Sequence, residues 1–174
     1  MKGLAVVLGC CIIAAAAVAP SLAAEQAQAR MMNAKGELLG IIELTQTANG
    51  VLLKGQLKPL SKGEHAFHVH AVGKCDAAVG FSSAGGHFAL DRKHGFKVMG
   101  GAHPGDMANL HVPDSEILSL EIFNPAITLM RGMETSILDA DGSALVIHAN
   151  ADDYESQPSG NSGDRIVCGI VEAR

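Results

Sequence analysis

The chain has 174 residues, a formal net charge of −5 and 20 glycines. This mild acidity provides no basic face for nucleic acid, so nucleic-acid binding is excluded and no charged partner is indicated. When an N-terminal leader is set aside, about 150 residues remain, which predicts one domain that buries roughly two thirds of its unfolded surface.

Residues 1–24 are predicted to be a signal peptide, and residues 25–174 are predicted to be the mature domain. Lys2 precedes an apolar run from Leu4 to Val18, and Pro20-Ser21-Leu22-Ala23-Ala24 supplies small residues for cleavage. The apolar run is short for a membrane span and no later segment is long enough, so we expect no span. These features predict a periplasmic or secreted protein.

The four cysteines divide between the leader and the mature domain. A lipid anchor at Cys10 or Cys11 competes with simple cleavage, but the apolar stretch before these cysteines is very short. Only Cys75 and Cys168 remain after cleavage, and an even pair in an exported protein predicts a disulfide. Closing a loop of this length would stabilise the fold by about 4 to 5 kcal/mol. Two buried free thiols are the alternative, which an oxidising compartment disfavours.

Short β-strands separated by turns are predicted along most of the mature chain. Lys35-Gly36 and Asn49-Gly50 are tight-turn signals in a meander, and Asp139-Ala140-Asp141-Gly142 is a further turn. Strand-like segments are Arg30–Ala34, Glu37–Thr45, Val51–Leu57, Ile117–Phe123, Ile127–Leu129, Thr135–Leu138, Leu145–Ala149 and Arg165–Val171. Strong helix signals are absent, so the pattern favours an all-β sandwich or flattened barrel without a second domain.

The histidines are concentrated in one part of the chain, with seven of the eight between positions 65 and 111. In the run His65-Ala66-Phe67-His68-Val69-His70, a two-residue period places the side chains of His68 and His70 on one face of a strand. One strand can therefore offer two imidazoles to one ion. The glycine-rich stretch that follows is typical of loops. Its potential ligands are His87, His94, His103 and Asp106.

Each of these ligands has a simpler interpretation when taken alone. His-x-His on a strand is often surface decoration or a core pair. His103 and Asp106 could be polar loop residues, and His148 could be a buried, hydrogen-bonded histidine. The concentration of histidines nevertheless favours metal binding, because structural histidines have no reason to collect in one segment. Three His and one Asp suit tetrahedral zinc, whereas a nearly all-imidazole set suits Cu(II).

Several segments together carry a resemblance to a known family. They are His65–His70, Ser83-Ala84-Gly85-Gly86-His87-Phe88, His94-Gly95, His103–Asp106 with Asn109, Leu145–Asp153 and Asp164–Gly169. Through them the mature chain resembles Cu/Zn superoxide dismutase of the bacterial secreted type, over nearly its whole length. The resemblance implies an eight-stranded Greek-key flattened barrel, an immunoglobulin-like sandwich, with two long functional loops. One loop would hold the stretch after His87, and the other would run from Asn150 to Asp164.

The resemblance also implies two metal sites that share one histidine. Copper would be held by His68, His70, His87 and His148, and zinc would be held by His87, His94, His103 and Asp106. Asp152 would hydrogen-bond one copper histidine, His68, and one zinc histidine, His94, and so orient both rings. His65 would have a structural role, and His111 is expected to be exposed. Cys75 and Cys168 fall where the family has its intrasubunit disulfide.

The implied activity is the dismutation of superoxide to oxygen and hydrogen peroxide, with copper cycling between Cu(II) and Cu(I) and a structural zinc. His87 would release copper on reduction and carry a proton. Arg165 would guide the superoxide anion, because a guanidinium stays charged. The loop from Asn150 to Asp164 carries no lysine, so lysines that steer substrate would come from elsewhere, such as Lys74 or Lys93. The sequence leaves open whether the chain is a monomer or a homodimer.

Two other functions are compatible with parts of the pattern. A noncatalytic copper-binding or copper-delivery protein on the same fold would be expected to have lost copper histidines, and none is lost here. A structural β-sandwich with zinc alone would leave His68, His70 and His148 without a purpose.

Overall fold

The computed structural model describes residues 25–114 and 117–174, and the regular secondary structure within them is almost wholly β-strand. The strands are β1 (Gln26–Asn33), β2 (Leu38–Thr47), β3 (Gly50–Leu57), β4 (Gly63–His65), β5 (Phe67–His70), β6 (Leu110–Val112), β7 (Leu118–Asn124), β8 (Ala144–His148) and β9 (Arg165–Ala173). The helical segments of the described residues are two single 3-10 turns, Ala77–Val79 and Ser82–Ala84. The all-β prediction is confirmed.

Seven strands form one curled antiparallel sheet in the order β5-β8-β9-β1-β2-β3-β7, and β4 pairs with β6. β4 and β5 are two parts of one strand that is interrupted at Ala66. The N–H of Ala66 donates to the Asn150 carbonyl at 2.8 Å, and its carbonyl accepts from the His148 N–H at 2.9 Å. Counted in this way there are eight strands, the number that the resemblance implied. β3 pairs with β7 instead of β4, which gives the predicted Greek-key topology.

The core lies between the inner faces of the curled sheet, where apolar residues alternate with more exposed ones. Ala27, Ala29 and Met31 of β1 are buried, and so are Ile42 and Leu44 of β2. Full burial of a side chain such as Leu, Ile or Met contributes about 1.5–3 kcal/mol. The same alternation fixes the register of each strand, because a one-residue slip would turn the apolar side chains towards solvent.

Two of the predicted strands are wrong. Ile127–Leu129 and Thr135–Leu138 lie in the loop of residues 125–143, where an isolated bridge joins Thr128 to Ser136. The apolar residues of both segments are buried. The sequence pattern therefore indicated burial correctly, but these segments do not pair as strands. β6 is the opposite case: it has only three residues, and its short alternating pattern gave no strand signal.

The two predicted long loops are present. Residues 71–109 connect β5 to β6, and residues 149–164 connect β8 to β9. The predicted disulfide between Cys75 and Cys168 joins the first loop to β9, with the two Cα atoms 5.7 Å apart. This crosslink holds the start of the first loop against the sheet.

The predicted signal peptide, residues 1–24, lies outside the described residues, as do Cys10 and Cys11. Within residues 25–114 and 117–174, no helix has the length and apolar character needed to cross a membrane.

Candidate metal centre

Two neighbouring strands carry three of the histidines. β5 pairs with β8, so that His68 faces Val146 and His70 faces Ala144 across the ladder. His148 ends β8 and lies on the same side of the sheet, with its Nε2 only 3.3 Å from Nε2 of His70. All three histidines are almost fully buried. The alternation of side chains along β5 therefore delivers the paired imidazoles that the sequence predicted.

Hydrogen bonds decide which ring nitrogen of each strand histidine is free to bind a metal. Nδ1 of His70 donates to the carbonyl of Gly85 at 3.0 Å, and Nδ1 of His148 lies 3.2 Å from the carbonyl of Gly163. Nε2 of His68 donates to a carboxylate oxygen of Asp152 at 2.8 Å. The nitrogens that remain are Nδ1 of His68 and Nε2 of His70 and of His148.

A fourth imidazole from a loop completes this set. The four residues His68, His70, His87 and His148 can each offer one nitrogen such that all four lie within 4.8 Å of one another. Among the described residues, Nδ1 of His68 and Nε2 of His87 are buried side-chain nitrogens without a hydrogen-bond partner. Burying unpaired polar atoms is costly, and a metal ion bound between them would remove that cost. The residues therefore fit copper, for which an all-imidazole set is well suited.

The second donor set lies wholly in the loop of residues 71–109. Oδ1 of Asp106 is 3.0 Å from Nδ1 of His87, 3.1 Å from Nδ1 of His94 and 3.2 Å from Nδ1 of His103. Nδ1 of His87 and Nδ1 of His103 are 3.4 Å apart. A tetrahedral zinc ion with bonds of about 2.0 to 2.1 Å places its ligand atoms about 3.3 Å from one another. This set of donors therefore fits zinc.

His87 belongs to both sets through different ring nitrogens. Its Nδ1 lies beside Asp106, and its Nε2 belongs to the buried group formed with the strand histidines. Its ring centroid is 4.0 Å from that of His68 and 5.4 Å from that of His103. One imidazole can therefore contact both metals, as the resemblance implied.

The carboxylate of Asp152 connects the two sets through hydrogen bonds to one histidine of each. Its Oδ2 accepts from Nε2 of His68 at 2.8 Å, and its Oδ1 accepts from Nε2 of His94 at 2.9 Å. Asn109 pairs with the Asp152 backbone in both directions, at 2.8 and 3.0 Å. Gly160, with φ of 68°, makes room for the carboxylate, because a Cβ there would collide with Oδ1 of Asp152. Such a carboxylate fixes the tautomer and orientation of both rings.

The local environment shifts histidine pKa values in opposite directions. Burial, together with neighbouring imidazoles, lowers the pKa of His148 to about 3, and burial lowers the pKa of His87 to about 4 despite its contact with Asp106. Burial acts on His94 in the same way, but hydrogen bonds to Asp106 and Asp152 raise its pKa to about 9. Burial also favours the neutral carboxyls, yet contacts with imidazoles hold the pKa of Asp106 and of Asp152 well below the usual range. Both carboxylates are therefore ionised at neutral pH.

Arg165 begins β9 directly opposite His148 in the ladder. Its guanidinium donates to the carbonyl of Phe81 at 2.8 Å and to the carbonyl of Gly85 at 2.7 Å. The Gly85 carbonyl also accepts from His70, so one oxygen atom links the arginine to a strand histidine. Arg165 is half-buried, and its contact with the Gly85 carbonyl places it next to His70.

The remaining histidines lie where the sequence analysis expected them. His65 is buried, with Nδ1 2.7 Å from the carbonyl of His148, so it supports the strand that carries a donor. His111 is exposed and lies 2.6 Å from a carboxylate oxygen of Glu64. Lys74 and Lys93 are both exposed.

Several side chains that were not predicted from the sequence connect the loop of residues 149–164 to the first loop. Gln157 pairs with the backbone of His94, and Lys97 donates from Nζ to the carbonyl of Asp153 at 2.9 Å. Tyr154 accepts the Asn109 N–H at 2.8 Å. No pattern in the sequence indicates these contacts, because each joins residues that are more than forty positions apart.

Comparisons with known proteins agree with this geometry. Residues 38–171 match the family model for copper/zinc superoxide dismutase. Superoxide dismutase (Cu-Zn) 1 of Aquifex aeolicus is 42% identical over 165 residues, which cover 94% of this chain and 95% of that protein. Superoxide dismutase (Cu-Zn) of Caulobacter vibrioides is 38% identical over 140 residues, covering 79% and 80%. The crystal structure of a SOD-like protein from Bacillus subtilis has a TM-score of 0.79 at 37% identity, and the match covers 82% of this chain and 96% of that chain.

The Greek-key barrel and the paired donor sets define a metalloenzyme fold with two adjacent sites. The chain belongs to the copper/zinc superoxide dismutase family, and it is an enzyme of that type with copper and zinc as cofactors.

Proposed function

We propose that this chain dismutes superoxide to oxygen and hydrogen peroxide in a compartment outside the cytoplasm. His68, His70, His87 and His148 would hold copper, and His87, His94, His103 and Asp106 would hold zinc. When bound, copper supplies one-electron chemistry by alternating between Cu(II) and Cu(I), whereas zinc has no redox chemistry and shapes and charges the site. The observation that carries the proposal is the placement of the two ring nitrogens of His87 in two different donor sets.

Arg165 is the residue that would capture the anion. Its guanidinium is fixed by the carbonyls of Phe81 and Gly85, and Gly85 in turn is hydrogen-bonded to the copper ligand His70. A positive charge held in this position raises the local concentration of a small anion. Superoxide dismutase is itself an established example of an electrostatically steered enzyme, so the expectation of steering comes from the family. Arg165 is not a metal ligand, because guanidinium does not deprotonate in proteins.

The reaction consumes two superoxide anions and two protons and yields one oxygen and one hydrogen peroxide. Nε2 of His87 is a buried nitrogen that can hold one of these protons next to the other copper ligands. Asp106 keeps the opposite side of the ring, Nδ1, in the zinc set, so a proton on His87 is directed to Nε2. The near-complete burial of His68, His70 and His148 keeps bulk water away from the donor nitrogens.

Two features support a location outside the cytoplasm. The disulfide between Cys75 and Cys168 is of the kind that persists in oxidising compartments. The predicted leader, residues 1–24, supplies the export signal. Intact mass of the exported protein would check both, through oxidised cysteines and a new N-terminus near Ala24 or Glu25.

The proposed activity is tested by pulse radiolysis of superoxide with protein that carries about one copper and one zinc per chain. We expect a fast decay of superoxide that disappears when the same protein carries zinc alone. A decay no faster with both metals than with zinc alone would reject the enzyme and leave a noncatalytic copper-binding protein on the same fold.

A further inference from the structure

The backbone of His94 is paired by a side chain instead of by another strand. The His94 N–H donates to Oε1 of Gln157 at 2.9 Å, and Nε2 of Gln157 donates to the His94 carbonyl at 2.8 Å. His94 lies in a loop without regular secondary structure, yet it is fully buried. Buried backbone groups need hydrogen-bond partners, and the amide of Gln157 provides both at one residue.

Tyr154 reinforces the same junction at the residues that follow His94. Its carbonyl accepts from the N–H of Lys97 at 3.1 Å, and its ring stacks on Phe96 with the centroids 5.2 Å apart. Gly95, with φ of 102°, allows this approach, because a Cβ there would collide with the Tyr154 carbonyl oxygen. We use the name loop clasp for the contacts of Tyr154 and Gln157 with residues 94–97.

The loop clasp acts on the residue whose ring lies between the two carboxylates. Nδ1 of His94 is 3.1 Å from Asp106, and Nε2 is 2.9 Å from Asp152. Asp106 also accepts the Gly95 N–H at 3.0 Å, which holds the peptide unit that contains the His94 carbonyl. Neither carboxylate contacts the His94 N–H, so the peptide unit before His94 has no partner among them. Gln157 supplies this partner, because its amide pairs with the His94 N–H as well as with the His94 carbonyl.

We propose that Gln157 is a positioning residue of the zinc site: its side-chain amide fixes the His94 backbone and thereby holds Nδ1 of His94 in place for the metal. This proposal rests on the proposed function in one respect, the assignment of His94 as a zinc ligand. It adds a second connection between the loop of residues 149–164 and the zinc site, besides the one through Asp152.

A purely structural role for Gln157 is the competing explanation, since its Nε2 also donates to the Glu155 carbonyl of its own loop at 3.0 Å. Asn161 offers a matched control. Its Nδ2 donates to Asp153 at 2.9 Å and to Ser156 at 2.9 Å, which are contacts within the same loop. Because Asn161 has φ of 55°, Asn161→Gly removes these bonds while keeping a residue that tolerates this backbone conformation.

The test measures zinc release to a chelator from protein loaded with copper and zinc. Gln157→Met keeps the length of the side chain and removes both hydrogen bonds to His94, so we expect zinc to leave about tenfold faster than in wild type, as is usual for losing an outer partner of a metal ligand. Gln157→Glu keeps the acceptor for the His94 N–H, so its rate should lie between the two. Asn161→Gly should release zinc at the wild-type rate. With Co(II) in the zinc site, the visible absorption spectrum should change in Gln157→Met and stay unchanged in Asn161→Gly.

Zinc release from Gln157→Met at the wild-type rate would overturn the proposal, and so would equal acceleration in Gln157→Met and Asn161→Gly. If Gln157→Met does not fold, the comparison of Gln157→Glu with Asn161→Gly decides in the same way. The superoxide rate of the loaded wild type is measured separately, so an inactive wild type that shows the predicted zinc release would reject the activity and keep the role of Gln157. A wild type that binds no zinc would overturn both.

Discussion

The two halves of the metal centre are held in place by different means. The strand half, His68, His70 and His148, takes its positions from the β5–β8 ladder, in which backbone hydrogen bonds and a two-residue side-chain period fix each ring. The loop half, His94, His103 and Asp106, has no ladder to hold it. It depends on individual contacts, such as the N–H groups of Gly95 and His103, each donated to Oδ2 of Asp106 at 3.0 Å.

The two halves are therefore expected to respond differently to substitution. Changing one residue of a ladder leaves the neighbouring backbone bonds intact, so the effect on the strand half stays local. A change in a loop contact frees backbone groups that have no other partner, so its effect spreads to the neighbouring ligands. His87 and Asp152 connect the halves, because each contacts members of both.

The largest predicted effect comes from damaging the strand half alone. His148→Ala removes one nitrogen of the proposed copper set and leaves all four proposed zinc donors whole, so we expect dismutation to be abolished while zinc stays bound. Pulse radiolysis and metal analysis of the same sample measure the two properties. Near-normal activity with copper bound would mean that the assignment of the copper ligands is wrong.

The next largest effect comes from cutting the connection between the halves. Asp152→Ala leaves Nε2 of His68 and of His94 without their acceptor, so both rings lose their fixed orientation. We expect the affinity for each metal to fall by about 10-fold to 100-fold. Competition with chelators selective for copper and for zinc checks this. Weakening of one metal only would show that Asp152 serves one half and does not connect the two.

A change at Arg165 should leave both halves intact. Arg165→Glu is expected to keep both metals and to lower the superoxide rate by at least about tenfold, or about 1.4 kcal/mol of transition-state stabilisation, because the charge that attracts the anion is reversed. Arg165→Lys should lose less, since the charge remains while the planar fork is lost.

Pulse radiolysis at several salt concentrations, on variants matched for metal content, measures this effect. The rate of Arg165→Glu should also depend less on ionic strength. Equal rates for wild type and Arg165→Glu would mean that another residue attracts the substrate.

The smallest effect is a contrast in protonation after the metals are stripped. Because the pKa of His94 is raised to about 9, its protonated ring stabilises the folded protein. This stabilisation is complete below pH 6.5 and is lost as pH rises towards 9. Because the pKa of His148 is lowered to about 3, the folded protein favours its neutral ring. This stabilisation is complete above pH 6.5 and is lost as pH falls towards 3.

NMR titration of the two histidine rings in the stripped protein would show this contrast directly. We expect the His94 ring to titrate above pH 6.5 and the His148 ring to titrate below it. Similar midpoints for both rings would show that the two halves do not differ in electrostatic environment.

The sequence predicted the strand half better than the loop half, and the reason is physical. The spacing of His68 and His70 alone indicates a shared face, because side chains alternate along any strand. The loop ligands have no comparable period, so only their concentration and donor types predicted a site, and the sharing of His87 between two metals came from the family resemblance. The disulfide and both hairpin turns were also predictable from local chemistry.

Other features could not be read from the sequence. The Gly85 carbonyl, which accepts from both His70 and Arg165, is a backbone group that every residue has. Gln157 meets His94 only through the tertiary fold. Ile127–Leu129 has the composition of a strand, but it lies in a loop whose apolar side chains pack into the core. Burial and strand pairing give the same sequence pattern over three residues.

The central claim is that one imidazole, His87, belongs to both halves. Its most direct test is the electron paramagnetic resonance signal of Cu(II) in protein that carries Cu(II) in the strand half and Co(II) in the loop half. A shared imidazole couples the two spins, so we expect the Cu(II) signal to be strongly weakened relative to protein with Cu(II) and zinc. An unchanged Cu(II) signal in protein with one copper and one cobalt per chain would contradict it.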